Sequence, residues 1–427
     1  MRRAGLTIAV LIGLAARGAG AQEPPPATPA SPSAESAPSA APASASAARG
    51  EAMAAYHSAL AERRLGPSSP LGLDEVRAIV ADGERLLGEG RGDEAIAVLV
   101  DLVESPRFRP FARDEAGRAA VFRLGDAFAS AGAYEPARAY LRRLVEEPDA
   151  FRSSGPYARR AVRRLVDVAG ERGDFTAGLD DVKAVPPTAP EEVRGEVAYL
   201  RGRAEEEAGR PDAALAAYAA VPPTSRFWAQ ATYLSGLIHV EKQRFKEGEE
   251  LFCKVADPRR QKRTTPVLAD ERYFAVRDLA RLALGRVAHE QRRHDDARYY
   301  YYLVPRDSDR LAEALYESAT TRYEKKDYEG ARELLDELRG LGIHHRYEDE
   351  AAVLDAYIDL ALCRFDSADA KLRAFLARYE PVRDAARRLA QDDAAVRALL
   401  AASRPGQDPA AGGTRGASPD ALRTIAA

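Results

Sequence analysis

Small, ring-bearing and apolar residues recur along this chain at constant offsets from one another. Take as origin the small residue that opens each second helix: Ala95, Ala137, Gly178, Ala214, Gly248, Ala297, Ala331 and Ala368. Twelve residues earlier stand Gly83, Gly125, Val166, Gly202, Gly236, Gly285, Ala319 and Ala356, all small but one. Three residues earlier a ring often appears, as at Tyr134, Phe175, Phe245, His294, Tyr328 and Phe365. Four residues later come Leu99, Leu141, Val182, Tyr218, Phe252, Tyr301, Leu335 and Leu372; seven later come Leu102, Leu144, Val185, Val221, Val255, Val304, Leu338 and Phe375. Offsets of three, four and seven place residues on one helical face, so the pattern predicts pairs of helices, A then B, repeated eight times.

Elementary packing explains the residue types. Two antiparallel helices approach closely only where side chains are small, so Gly or Ala belongs at the A–B crossing. The two apolar rows of helix B lie on one face and pack against the next pair. Prolines at 148, 186, 222, 258 and 305 stop the B helices, because proline lacks the N–H that would continue the ladder. Residues 280–308 show one whole unit, with Gly285, Ala297, Tyr301, Val304 and Pro305 in their places.

This spacing resembles the tetratricopeptide repeat family over about residues 73–379. The resemblance implies an all-α fold: a right-handed α-solenoid of about eight helix pairs with a C-terminal capping helix. It also implies a scaffold that binds protein segments in a groove lined by the A helices. The third unit, with Val166 and Gly178, is a degenerate copy, and the 49-residue separation of Gly248 from Ala297 requires an insertion.

The flanks read differently. Residues 1–21 carry Arg2 and Arg3, a short apolar run and the small residues Ala19, Gly20 and Ala21, which together form a cleavable signal peptide. The apolar run is too short to span a bilayer, so no transmembrane segment is expected after cleavage before Gln22. No Cys follows the run, which argues against a lipid anchor. Residues 22–48 are nearly all Pro, Ala and Ser and should form a disordered linker. Residues 49–72 read as a short helix and loop, 73–380 as the solenoid with its insertion at 257–271, 381–402 as the capping helix, and 403–427 as a flexible tail.

Composition narrows the partners. A formal charge of −3 across 427 residues offers no global field for nucleic acid, which is therefore not expected to bind. The dense basic cluster of the body is Arg259, Arg260, Lys262 and Arg263, within the insertion. It reads either as a solvated loop or as a contact for an acidic partner, a membrane surface or a wall polymer.

Candidate chemistry is sparse. No phosphate-binding loop, dinucleotide fingerprint or nucleophile elbow occurs, so no catalytic residue, cofactor or metal is expected. His289 and Glu290 begin like a zinc-protease helix, but Arg293 stands where the second ligand should be, and His294 comes one residue too late to share the face. His294 instead reads as the ring at its repeat position. His344 and His345 fall between helices with Asp349 and Glu350 nearby; a surface metal is conceivable there, but adjacent histidines on a loop seldom form a closed site without further ligands. Cys253 and Cys363 lie three repeats apart, too far to bridge, and read as two buried thiols on helix faces.

Two sets of residues are candidates for partner binding. Nine residues before the origin, Glu205, His239, Arg322 and Asp359 place polar side chains toward the predicted groove. The run Tyr299, Tyr300, Tyr301 and Tyr302 cannot all be core, because consecutive helical residues point about 100° apart. Tyr301 belongs to the packing row. Among Tyr299, Tyr300 and Tyr302, one supports it, and the rest either form an exposed aromatic patch with Tyr316 and Tyr323 or cover the next repeat.

The reading that follows is a non-catalytic scaffold in the periplasm of a Gram-negative bacterium, binding other envelope proteins, similar to repeat proteins of envelope-assembly and motility machines. The alternative is a helical-repeat protein that binds or hydrolyses peptidoglycan or another glycan. Buried glutamates with raised pKa values would favour the alternative.

Overall fold

The computed structural model describes residues 71–397 except 149, 152–155, 257–270, 343–344, 393 and 395. The signal peptide, the linker, the helix at 49–70, Arg259, Arg260, Lys262, Arg263, His344 and the tail lie outside the described residues.

Within them the eight expected pairs form. They are α1 (Leu73–Gly88) with α2 (Gly92–Val103), α3 (Glu115–Ser130) with α4 (Tyr134–Val145), α5 (Pro156–Arg172) with α6 (Phe175–Asp181), and α7 (Glu191–Glu207) with α8 (Pro211–Ala219). The second half has α9 (Trp228–Glu241) with α10 (Phe245–Ala256), α11 (Glu271–Glu290) with α12 (His294–Tyr302), α13 (Leu311–Glu324) with α14 (Tyr328–Gly340), and α15 (Glu348–Ala361) with α16 (Phe365–Leu389). Each A helix packs on its own B helix and each B helix on the next A helix, so the fold is an all-α solenoid.

Every B helix starts three residues before its small residue, at the ring position, and so opens a turn earlier than the sequence suggested. The turn between the helices is the same in all eight pairs. The residue five before the origin has positive φ: Gly90, Gly132, Gly173 and Gly209 in the first four, then Gln243, Arg292, Lys326 and Cys363. The next N–H bonds back to the carbonyl nine before the origin, as from Arg293 to Ala288 at 2.8 Å and from Arg364 to Asp359 at 2.8 Å. This is a Schellman closure, which satisfies carbonyls at the end of helix A and reverses the chain at once.

The crossing follows the packing argument. Gly83, Gly125, Gly202, Gly236 and Gly285 lie directly against Leu99, Leu141, Tyr218, Phe252 and Tyr301 of their own B helices. Ala319 and Leu335 fill the same places in the seventh pair, 0% and 1% exposed. A buried layer built this way runs from Val76 to Ile358 in successive clusters.

The end of the array differs from expectation. Helix α16 runs unbroken past residue 381, so the eighth B helix and the start of the expected cap are one helix. Pro381 is tolerated inside it because both Pro381 and Ala377, whose carbonyl it leaves without a donor, face water. Ala385 and Leu389 are buried, while Leu376 remains 50% and Phe365 64% exposed. The final repeat therefore keeps part of its apolar face open among the described residues. Cys363 corrects a second expectation: it is exposed, at the positive-φ turn position, whereas Cys253 is buried, and both are free thiols.

Candidate functional site

The A helices carry charges that meet across neighbouring repeats. Arg123 Nε donates to Glu84 at 2.7 Å, Arg164 Nε to Asp126 at 2.9 Å and Arg286 Nε to Glu317 at 3.0 Å. These pairs occupy the same two registers, eleven before the origin in one repeat and fourteen before it in the next. In the third the signs are reversed, with the cation on the earlier helix.

The densest cluster centres on Arg286 of α11. Its guanidinium reaches Glu317 and Glu313 of α13, and Arg346, from the segment before α15, donates to Glu313 at 2.7 Å. Burial pushes the Glu317 carboxyl up, and the hydrogen bond from Arg286 only partly offsets it. Burial also acts upward on Glu313, but Tyr347, Arg286 and Arg346 outweigh it and hold that carboxyl low. Burial works against the Arg286 charge and the two carboxylates outweigh it, so Arg286 stays protonated. Over this cluster Tyr316 stacks on Tyr347 with ring centroids 5.0 Å apart, and the Arg346 guanidinium sits 4.8 Å above the Tyr347 ring. Arg346 remains 64% exposed.

A second cluster joins three A helices' worth of chain. Arg226 donates to Glu196 at 2.7 Å, to Asp167 at 2.8 Å and to the Arg163 carbonyl at 3.1 Å. Burial raises the Glu196 carboxyl, opposed by Arg226. Glu206, raised by burial as well, accepts from the Tyr218 hydroxyl. These are the buried glutamates that would have suggested hydrolysis. Each is engaged by a side chain of the protein itself, which is how an interlocking ion pair is built.

The four polar residues nine before the origin do not form one groove. Their carbonyls close the Schellman turns, which places them at the ends of the A helices. Glu205 accepts from Arg210, and Arg322 donates to Asp327 at 2.7 Å. His239 is half-buried, its Nδ1 is unpartnered, and burial with Arg244 nearby lowers its pKa. Asp359 is the clear correction. It is 1% exposed and held by Arg332, by Ser367 Oγ at 2.6 Å and by Lys371 Nζ at 2.6 Å. It locks the last two repeats together and offers nothing to a partner.

The tyrosine run divides by helical angle. Tyr300 and Tyr301 are buried, Tyr299 is half-buried, and Tyr302 is 86% exposed. Tyr300 is thus removed from the partner-binding candidates. Tyr316 and Tyr323 are half-buried in the next core cluster, with Tyr323 against Tyr328 at 5.6 Å, so the run does not merge with them into one core. Arg286, Glu313, Glu317, Arg346 and Tyr347 escaped the sequence reading. Their signal was the recurrence of opposite charges at two A-helix registers that are otherwise mixed.

Residues 119–150, the third and fourth helices, match the Tetratricopeptide repeat family. The remaining pairs repeat that unit's positive-φ turn, and four of them its glycine crossing. Residues 119–150 thus carry a tetratricopeptide repeat, within an array of helix pairs that share its turn.

Similar solved structures include the pilF protein of Pseudomonas aeruginosa, 16% identical, covering 52% of this chain and 92% of its own, with a TM-score of 0.38. A tetratricopeptide repeat protein from Parabacteroides merdae is 14% identical over 71% of this chain and 92% of its own, with a TM-score of 0.32. The apo form of the quorum sensor NprR from B. thuringiensis is 11% identical over 71% and 98%, with a TM-score of 0.37. At these scores none of them bears on what this chain binds. No curated protein matches the sequence. Tetratricopeptide repeats serve as platforms for protein partners, and among the described residues no helix is long and apolar enough to cross a membrane.

Proposed function

We propose that this protein is an exported, non-catalytic scaffold of the bacterial cell envelope that binds other envelope proteins on the face built by its A helices. The observation that carries the reading is the Tyr316, Tyr347 and Arg346 stack. Exposed arginine on half-buried tyrosine is the composition of a protein-binding hot spot, and the ion pairs beneath hold it in place before a partner arrives. The partner segment that suits it carries an acidic residue beside an apolar or aromatic one.

Export rests on the charged and apolar pattern of residues 1–21, and the periplasm is the compartment that follows. The glycan-hydrolysing alternative loses its main support, because the glutamates with raised pKa values are each bound by arginine or tyrosine of the same chain.

In-cell crosslinking with formaldehyde, followed by purification and mass spectrometry, tests the scaffold. A fixed set of envelope proteins that disappears in an Arg346→Ala, Tyr316→Ala double variant is the expected result. Recovery of glycan fragments in place of proteins, or cleavage of purified peptidoglycan, would overturn it.

A further inference from the structure

The Schellman turn of the sixth pair brings together side chains that a continuous helix would separate. His289 lies in the last turn of α11, and His294 is the first residue of α12. Arg292 between them takes φ of 58°, and its N–H bonds to the His289 carbonyl at 2.8 Å. The reversal folds the His294 ring back onto His289, with centroids 5.7 Å apart and planes at 77°. Glu324, the last residue of α13, closes the group from the next repeat. One ligand atom from each of His289, His294 and Glu324 lies within 4.8 Å of the others.

The hydrogen bonds assign the tautomer. The Thr321 hydroxyl donates to the Glu317 carbonyl at 2.8 Å, so its proton is committed. Its oxygen can then only accept from His289 Nδ1, 2.9 Å away. In the neutral ring this leaves Nε2 as the nitrogen free to bind a metal, and it lies 3.5 Å from Glu324 Oε2. The separation is too long for a charge-assisted hydrogen bond, which would measure about 2.7–2.9 Å. It matches the ~3.4 Å edge of a tetrahedron around zinc with bonds of about 2.1 Å. His294 adds a buried Nδ1 that has no hydrogen-bond partner.

We infer that His289, His294 and Glu324 form a binding site for a divalent transition-metal ion of the zinc class, clipping the sixth repeat to the seventh. Nitrogen and carboxylate donors suit zinc and its neighbours, and Thr321 supplies the outer hydrogen bond that orients a metal-bound imidazole. Three protein ligands leave the fourth position to water. Closure requires only that the exposed Glu324 side chain swing inward. The neighbouring turns are already tied by Lys325 to Asp295 at 2.6 Å, so the backbones need not move.

The test uses the purified full chain, stripped with a chelator and titrated at neutral pH with zinc chloride in a calorimeter and with cobalt(II) chloride in a spectrometer. One equivalent should bind, cobalt should give the visible bands of a low-coordinate site, and the sixth and seventh repeats should gain protection from hydrogen exchange. His294→Phe places at this position the residue that the third, fifth and eighth repeats carry, so the fold should hold. It, His289→Gln and Glu324→Gln should each weaken binding by more than about tenfold, the least that loss of even an outer-shell partner costs. Thr321→Val should weaken it by about tenfold or more through the tautomer. Absence of saturable uptake, or uptake unchanged in His294→Phe, would overturn the assignment.

Discussion

A methyl group placed on Gly285 would lie 2.3 Å from Cε1 of Tyr301, inside the ring's own van der Waals surface. The two helices of the sixth pair therefore touch where glycine meets tyrosine, and in the seventh pair the same two registers hold Ala319 and Leu335, both buried in one cluster. Size at one position is compensated by size at the other.

Gly285→Ala should accordingly destabilise the sixth repeat by about 2 kcal/mol, the usual cost of overpacking a filled core. Gly285→Leu should unfold it. Adding Tyr301→Leu to Gly285→Ala recreates the seventh repeat's pairing and should return much of the loss, giving a non-additive double-mutant cycle in urea unfolding. Strict additivity would show that the two residues do not share the crossing.

The positive-φ position offers a stabilisation. Side chains there cost about 1–2 kcal/mol relative to ordinary backbone, a penalty glycine escapes. Replacing Gln243, Arg292 or Lys326 by Gly should each raise stability by about 1 kcal/mol despite glycine's larger unfolded-state entropy. Gly209→Ala should lower it by a similar amount. Thermal unfolding of the four single variants checks the sign in each direction.

Asp359 links stability to pH. Burial acts upward on its carboxyl, but hydrogen bonds from Lys371, Ser367 and Arg332 prevail and hold it well below the ordinary carboxylate range. A group depressed in the folded state contributes stability above its unfolded pKa of about 3.9 and loses that contribution as pH falls toward the folded value. Asp359→Asn should therefore cost about 3 kcal/mol near neutrality, by leaving cations without their partner. The gap from the parent should shrink as the solution is acidified below about pH 4. Hydrogen exchange of peptides from α15 and α16 at several pH values would read this directly, since a solenoid opens repeat by repeat.

Arg286 behaves as the keystone of two buried carboxylates. Arg286→Leu alone should cost about 3–5 kcal/mol because Glu313 and Glu317 lose their cation. Arg286→Leu combined with Glu317→Leu should be markedly more stable than the single variant. A double variant as unstable as Arg286→Leu would place the loss in packing and not in charge.

Much of the fold was legible because each contact that builds it is local in sequence. Gly285 and Tyr301 are sixteen residues apart, and the same offset recurs from Gly83 with Leu99 to Ala319 with Leu335. The turn glycines at 90, 132, 173 and 209 were not read from the sequence, because four other residue types in the later repeats conceal that the position is one and the same. The candidate site was less legible. Tyr300 and Tyr302 are alike in sequence, and only the placement of the neighbouring helices buries one and exposes the other.

The sequence by itself determined the helix pairs, their crossing and their stacking, because small and apolar residues at helical spacing can be buried in only one register. Tertiary structure alone decided which polar residues meet. Asp359 became a buried lock because Arg332 and Lys371 arrive from two other helices, and Arg286 found Glu317 across a repeat boundary. His289, His294 and Glu324 converged because a left-handed residue reverses the chain between the histidines and the next repeat lays its last turn beside them. Burial patterns are written in local periodicity; encounters between charges depend on where reversed and stacked helices come to rest.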